Sequence, residues 1–208
     1  MVPYILIAII AYAIGSINFS VIFSRKFAGF DVREKGSGNA GNMLRSVGKK
    51  AAALTLVCDI LKGIVAIVIA LIMGNVIKEF NGQSYLVQIA AVAVVIGHTF
   101  PIFFEFRGGK GVATSLVNKN WIFIWQIGLI CLIFALALMA VTKMVSLGSI
   151  SAAILFPVLT LFIHSHYIVE GNGYFIFSII LAAIVCFNHR ANIKRIMNGT
   201  ENKFGSKK

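Results

Sequence analysis

The chain has little negative charge: seven Asp and Glu stand against nineteen Lys and Arg in 208 residues, a formal net charge of +12. Charge of either sign is scarce at 12%, where a soluble domain carries about 25%. There are three cysteines, Cys58, Cys131 and Cys186, each inside an apolar stretch. Their spacing gives neither a disulfide framework nor, with the histidines, a metal-ligand set, so they read as small buried hydrophobes and no metal is expected. No basic soluble module of domain size is present, which argues against nucleic acid as the partner of the positive charge. No internal repeat is visible and no linker divides the chain, so residues 1–208 read as one domain. The first apolar stretch has no basic residue before it and Arg25 and Lys26 after it, the reverse of a secretory signal peptide.

What is present is hydrophobicity: 59% of residues are apolar and the mean hydropathy is +0.90. The apolar residues come in runs of roughly 17 to 25 separated by short basic segments, the pattern of membrane-spanning helices. A soluble enzyme, a secreted domain and a disordered chain are thereby excluded. Spans are expected at about Val2–Phe23, Ala51–Met73, Ser84–Phe104, Asn120–Thr142, Met144–Ile163 and Gly173–Phe187.

Six spans conflict with the charge distribution, because the Arg107–Lys110 segment and the basic tail from His189 to Lys208 would face opposite sides. A further crossing at Gly111–Asn118 removes the conflict. Those eight residues cover only about 12 Å as a helix, so this segment is a short or half helix inside a bundle. Sixteen of the nineteen basic residues then lie inside, Lys62 lies within a span, and Lys78 and Lys119 lie outside. The expected architecture is an all-α polytopic bundle of seven membrane segments, one short, with the N-terminus outside and the C-terminus cytoplasmic.

Three basic or glycine-rich segments fall on the inner side. Gly36-Ser37-Gly38-Asn39-Ala40-Gly41 is formally a G-x-G-x-x-G, but no βαβ unit surrounds it and Asn42 follows where a P-loop has lysine. The physics those motifs share remains: glycines turn backbone N–H groups toward an anion, Ser37, Asn39 and Asn42 add polar contacts, and Arg45 suits bidentate binding of phosphate or carboxylate. A plain turn before a helix is the bland alternative.

Farther along, His98 lies near the inner end of the third span, and Gly108-Gly109-Lys110-Gly111 follows. A glycine run opening a short helix would present N–H donors beside Lys110, an arrangement suited to a phosphorylated small molecule. A tight re-entrant turn would need the same small residues. The third segment is His189-Arg190-Ala191-Asn192, which alone would suggest a lipid headgroup contact. Asp59 and Lys62, three apart, share a helix face within the second span. Intramembrane charges of this kind mark function, or else a lock between helices. His164 and His166 are assigned no role.

Four segments together resemble the PlsY family, bacterial membrane acyl-phosphate:glycerol-3-phosphate acyltransferases: GSGNAGNMLRSVGKK (36–50), CDILKG (58–63), GHTFPIFFEFRGGKGVAT (97–114) and HRANIKRIMNGTE (189–201). The resemblance covers essentially the whole chain. It implies seven spans in a bacterial inner membrane, a site facing the cytoplasm, no cofactor, and acyl transfer from an acyl phosphate to the sn-1 hydroxyl of glycerol 3-phosphate. It maps the family's essential residues onto Ser37 and Arg45, its glycerol 3-phosphate motif onto Gly108, Gly109, Lys110 and Gly111, and its third motif onto His189, Asn192 and a structural Glu201. Partners are then acyl phosphate, glycerol 3-phosphate and membrane lipids. His98 and His189, or a phosphate oxygen of the substrate, are the candidate bases. No histidine has an Asp five positions later, so the His-x4-Asp pair of CoA-using acyltransferases is absent. Two departures stand out: the family usually reads GSGN-x-G-A-T-N, two residues longer after Gly41, and it commonly has proline where this chain has Asn18. A small organic-phosphate transporter and an inactive lipid-phosphate-binding paralogue are the alternatives.

Overall fold

A computed structural model describes residues 1–76, 85–111, 124–167 and 173–204. Helices α1 (Val2–Gly15), α2 (Phe19–Ala28), α3 (Ala40–Ser46), α4 (Lys49–Val76) and α5 (Tyr85–Thr99) belong to one compact unit, residues 1–121. Helices α6 (Ile124–Thr142), α7 (Val145–Tyr167), α8 (Gly173–Asn188) and α9 (Arg190–Met197) belong to a second, residues 122–208. No strand occurs among the described residues.

Helix α4 shows why the fold needs a membrane. Most of its inward positions are small or polar, among them Thr55, Asp59, Lys62, Gly63, Ala66 and Ala70, with Ile67 the large apolar exception, while Leu54, Val57, Leu61, Val65 and Ile72 face outward. Water would reward the opposite arrangement; in lipid, close packing of small residues and pairing of polar ones hold helices together. Among the described residues, four segments are long and apolar enough to cross a bilayer: Val2–Ala28, Lys49–Val76, Tyr85–Phe104 and Val145–Phe162. Phe175–Asn188 with Arg190–Met197, bent by 65°, makes a fifth if counted as one. Gln126–Thr142 is a shorter apolar helix. The expected short crossing lies outside the described residues from position 112 onward, as do Lys78 and Lys119. The side chains of His164 and His166 lie outside them as well.

Two expected helices are interrupted for local chemical reasons. The first span breaks after Gly15, and Asn18 caps α2: its Oδ1 accepts from the Val21 N–H at 3.3 Å and from Ser20 Oγ at 2.6 Å. The third span ends as α5 at Thr99, because Pro101 disfavours helical backbone at Phe100. A 3₁₀ turn, Ile102–Phe104, follows, and then Glu105 and Phe106, both at φ 56, reverse the chain. Helix α9 forms within the basic tail.

Helices α1 and α5 approach backbone to backbone. A Cβ on Gly15 would overlap the Val94 carbonyl, and one on Gly97 would overlap the Tyr12 carbonyl. In the second unit Ile127, Cys131 and Ala135 of α6 pack on Ala152 of α7, with Gly148 seated against the Ala135 carbonyl. Cys131 is buried, whereas Cys58 and Cys186 are half-buried.

Candidate functional site

The segment 36–46 is a loop tied by its own amides. Asn39 caps α3 by accepting the Asn42 N–H on Oδ1 at 2.8 Å, and its Nδ2 donates to Ser37 Oγ at 2.6 Å. Asn42 is buried; its Nδ2 donates to the carbonyls of Val32 (2.9 Å) and Ser37 (3.1 Å), and its Oδ1 accepts from Ser46 Oγ. The Asn42 amide thus shapes the loop. Gly36, at φ 144, occupies backbone territory that favours glycine, with the Asn42 amide beside it. Arg45 lies exposed in the last turn of α3.

The second glycine segment folds directly onto the first. Gly38 donates its N–H to the Gly108 carbonyl at 3.1 Å. Gly108 and Gly109 donate theirs to the carbonyls of Thr99 (3.1 Å) and His98 (3.0 Å). These amides are thus taken up within the protein, correcting the expectation that they point at an anion. What the glycines supply is closeness: a Cβ at Gly108 would overlap the His98 carbonyl, one at Gly109 the His98 ring, and one at Gly38 the amide of Asn18. Lys110, half-buried, follows directly, and Gly111 turns the chain at φ 80.

His98 itself is buried, and its Nδ1 lies 2.8 Å from the Lys62 ammonium. With Lys62 donating, that lone pair is occupied and the ring proton sits on Nε2, facing Gly109. Neither nitrogen is then set up to accept a substrate proton.

A second tie between the two loops was not foreseen. The Arg33 Nη1 donates to the Phe104 carbonyl at 2.6 Å while its other guanidinium nitrogens grip Asp31, at 2.7 Å for Nη2. Hydrogen bonding from Arg33, only partly opposed by burial, holds the Asp31 carboxyl down at about 2. One signal was available: between Ser24 and Lys50, Asp31 is one of only two acids against seven Lys and Arg.

In the second unit, His189 sits at the 65° bend between α8 and α9 and is buried. Its Nδ1 contacts the Val185 carbonyl at 2.8 Å. A carbonyl only accepts, so Nδ1 carries the proton and Nε2 is the acceptor nitrogen of the neutral ring. Asn192, one turn on and also buried, donates Nδ2 to Glu201 Oε1 at 2.8 Å. Glu201 also receives Ser146 Oγ at 2.7 Å and Arg195 Nε at 2.9 Å. Burial pushes the Glu201 carboxyl up, but the hydrogen bonds from Ser146, Asn192 and Arg195 outweigh it, and the net shift is downward. Ser146, far away in sequence, had no signal of its own. Among the described residues no group of three His, Cys, Asp or Glu is arranged to hold a metal ion.

Set beside known proteins, residues 5–199 match the family described as glycerol-3-phosphate acyltransferase. The chain is 42% identical over 213 residues to a glycerol-3-phosphate acyltransferase of Clostridioides difficile (strain 630), covering 99% of this chain and 97% of the relative. It is 45% identical over 206 residues to one of Thermoanaerobacter sp. (strain X514), covering 98% and 96%. Its fold is similar to a crystal structure of PlsY (YgiH), an integral membrane glycerol 3-phosphate acyltransferase, in the glycerol 3-phosphate form. That match has a TM-score of 0.81 and 32% identity and covers 97% of this chain and 96% of the other. The lysophosphatidic acid form of PlsY gives 0.78 at 30% identity, covering 97% and 95%.

Proposed function

The chain belongs to the glycerol-3-phosphate acyltransferase family, and on that premise we propose that it moves an acyl group from an acyl phosphate to the sn-1 hydroxyl of glycerol 3-phosphate. The hydroxyl oxygen attacks the acyl carbonyl, the bond from that carbon to the phosphate oxygen breaks, and inorganic phosphate leaves with the electron pair. The product is lysophosphatidic acid. An acyl phosphate is a mixed anhydride with a good leaving group, so no covalent enzyme intermediate and no cofactor are needed.

The observation that carries this reading is the backbone pairing of Gly38 with Gly108, which brings the Ser37 loop and the Lys110 loop to one place within the first unit. Both reactants are anions. Arg45 and Lys110 neutralise and orient them, Ser37, Gly36 and Asn39 line the approach, and Gly38, Gly108, Gly109 and Gly111 let the two loops close. Asn42 and His98 act from beneath those loops. His189 is the proton acceptor through Nε2, and Asn192 is its companion on α9. The Nδ1 proton of His189 leaves Nε2 as the nitrogen for this task; a phosphate oxygen of glycerol 3-phosphate is the alternative acceptor.

The membrane placement is part of the same proposal. The seven segments, the outside N-terminus, the cytoplasmic site and the bacterial inner membrane rest on the distribution of basic residues and the family resemblance. The reading of 1–208 as one acyltransferase domain rests on the family match across residues 5–199.

The test is turnover by purified protein in detergent, with glycerol 3-phosphate and either palmitoyl phosphate or palmitoyl-CoA. Lysophosphatidic acid from the acyl phosphate alone supports the proposal. Product from the CoA ester alone overturns the donor assignment. No product from folded protein favours the inactive paralogue or the transporter.

A further inference from the structure

The Lys62 ammonium is enclosed by protein in the middle of α4. It lies 2.9 Å from Asp59 Oδ1 and 2.8 Å from His98 Nδ1, and it donates to the carbonyls of Ile17 (2.8 Å) and Gly15 (3.1 Å). The Phe19 ring closes one side, with its centroid 5.8 Å away. Asp59 Oδ1 is also 3.5 Å from His98 Nδ1.

Each contact has a structural consequence. Gly15 and Ile17 sit where α1 stops and α2 begins. The Val21 N–H, which would reach the Ile17 carbonyl in a continuous helix, is taken by the Asn18 side chain. The ammonium therefore satisfies backbone that the break has exposed at membrane depth, where an unpaired carbonyl is costly. On the opposite side, His98 presses its ring against Gly109 and accepts the Gly109 N–H on its own carbonyl. Gly38, bonded to Gly108, rests on the amide of Asn18 and the hydroxyl of Ser20. Both glycine loops thus stand on the groups that Lys62 holds: one on the helix break, the other on His98.

We propose that Asp59, Lys62 and His98 form a buried positioning network that sets the spacing of the two glycine loops for glycerol 3-phosphate. In this inference, which rests on the proposed reaction, none of the three touches the reacting atoms. Asp59 balances the charge, Lys62 ties the helix break to α5, and His98 is the wedge that carries the tie to Gly109. A lock that only joined α4 to the helix break would need Lys62 and the Gly15 and Ile17 carbonyls, without the His98 ring.

Two variants separate the possibilities, and the full chain in detergent is used throughout. Asp59→Leu with Lys62→Met replaces the pair by apolar groups of similar size, an exchange that buried ion pairs often tolerate. His98→Asn keeps an oxygen where Nδ1 stood, so Lys62 retains an acceptor while the ring against Gly109 is lost. Thermal unfolding reports the fold, and initial rates with palmitoyl phosphate report the Michaelis constant for glycerol 3-phosphate. The expected result for either folded variant is an increase of about tenfold or more in that constant, with kcat changing less. Folded variants with an unchanged constant overturn the network and leave Lys62 as no more than a tie between α4 and the helix break. If the double variant does not fold, His98→Asn decides alone. Wild-type protein without turnover on any acyl donor sinks the reaction itself; turnover by wild type with unaltered variants sinks only the network.

Discussion

Gly38 and Gly108 meet through a backbone hydrogen bond of 3.1 Å, with no side chain between them. Two motifs that lie far apart in sequence become one surface by this contact. Their glycines therefore act mainly by leaving room, and the most direct predictions concern what happens when that room is filled.

Gly109→Ala places a methyl group against the His98 imidazole. Overpacking of this kind costs about 1–3 kcal/mol, and displacement of Lys110 is expected to lower kcat/KM by about a hundredfold. Gly29→Ala is the control: Gly29 has φ +72 but nothing within 4 Å of an added Cβ. It should lose only the roughly 1 kcal/mol of left-handed strain and retain turnover. Equal rates for the two variants would remove the steric argument.

Lys110→Ala tests the charge that follows those glycines. Loss of one charge-assisted contact to phosphate, about 1.5–3 kcal/mol, should raise the Michaelis constant for glycerol 3-phosphate by about 10- to 100-fold. An unchanged constant would count against Lys110 as a phosphate ligand.

The Asp31–Arg33 tie makes stability depend on pH. Asp31 titrates at about 2 in the folded protein against a reference of 3.8. Its folded value is depressed, so its contribution is complete above pH ~4 and fades as pH falls toward ~2, on the order of 2 kcal/mol in all. Asp31→Asn should therefore unfold at a lower temperature than wild type at neutral pH, and the gap should close across that window. A gap independent of pH would show that the carboxylate charge is not what holds Arg33 against Phe104.

Glu201→Gln should destabilise the second unit by about 1.5–3 kcal/mol, because Arg195 loses its charged partner and Ser146 and Asn192 lose a charged acceptor. Ser146→Ala removes only one donor and should cost about 1 kcal/mol. Differential unfolding of the two variants reads this directly; a larger effect of Ser146→Ala would be inconsistent with Glu201 as the hub.

Gly97→Ala and Gly74→Ala make the last comparison. A Cβ at position 97 meets the Tyr12 carbonyl and the Ser16 nitrogen, whereas one at 74 finds only Leu86 Cδ1 at 3.6 Å. The first substitution should cost about 1–3 kcal/mol or more, since backbone cannot repack. The second should be neutral or stabilising by up to ~1 kcal/mol. Matching unfolding temperatures would argue against direct backbone contact between α1 and α5.

The helices were largely legible because the membrane demands long apolar runs, and α4, α7 and α8 lie within a few residues of where hydropathy puts them. The breaks were less so. Asn18 and Pro101 interrupt apolar stretches without interrupting hydropathy, and only their capping and backbone chemistry shows where the helix stops. The three motifs marked Ser37, Arg45, Lys110 and His189, but the part played by each residue was another matter. Asn42 and the amides of Gly108 and Gly109 have the chemistry of anion ligands, and they are turned inward to hold the loops.

By itself, the sequence determined the environment and the inventory. Apolar runs specify helices in lipid, the scarcity of acids leaves the loops basic, and glycine, serine, lysine and histidine supply the groups an anionic substrate needs. Tertiary structure decided which of those groups meet. Lys62 is three residues from Asp59, which any helix would pair, but its contacts with His98 and with Gly15 and Ile17 come from two other stretches of chain. The same holds for Arg33 with Phe104 and for Ser146 with Glu201. Local preferences reach only a turn or two along the chain, whereas a buried polar atom takes whatever partner packing brings within 3 Å. The fold, and not the spacing of letters, sets that choice.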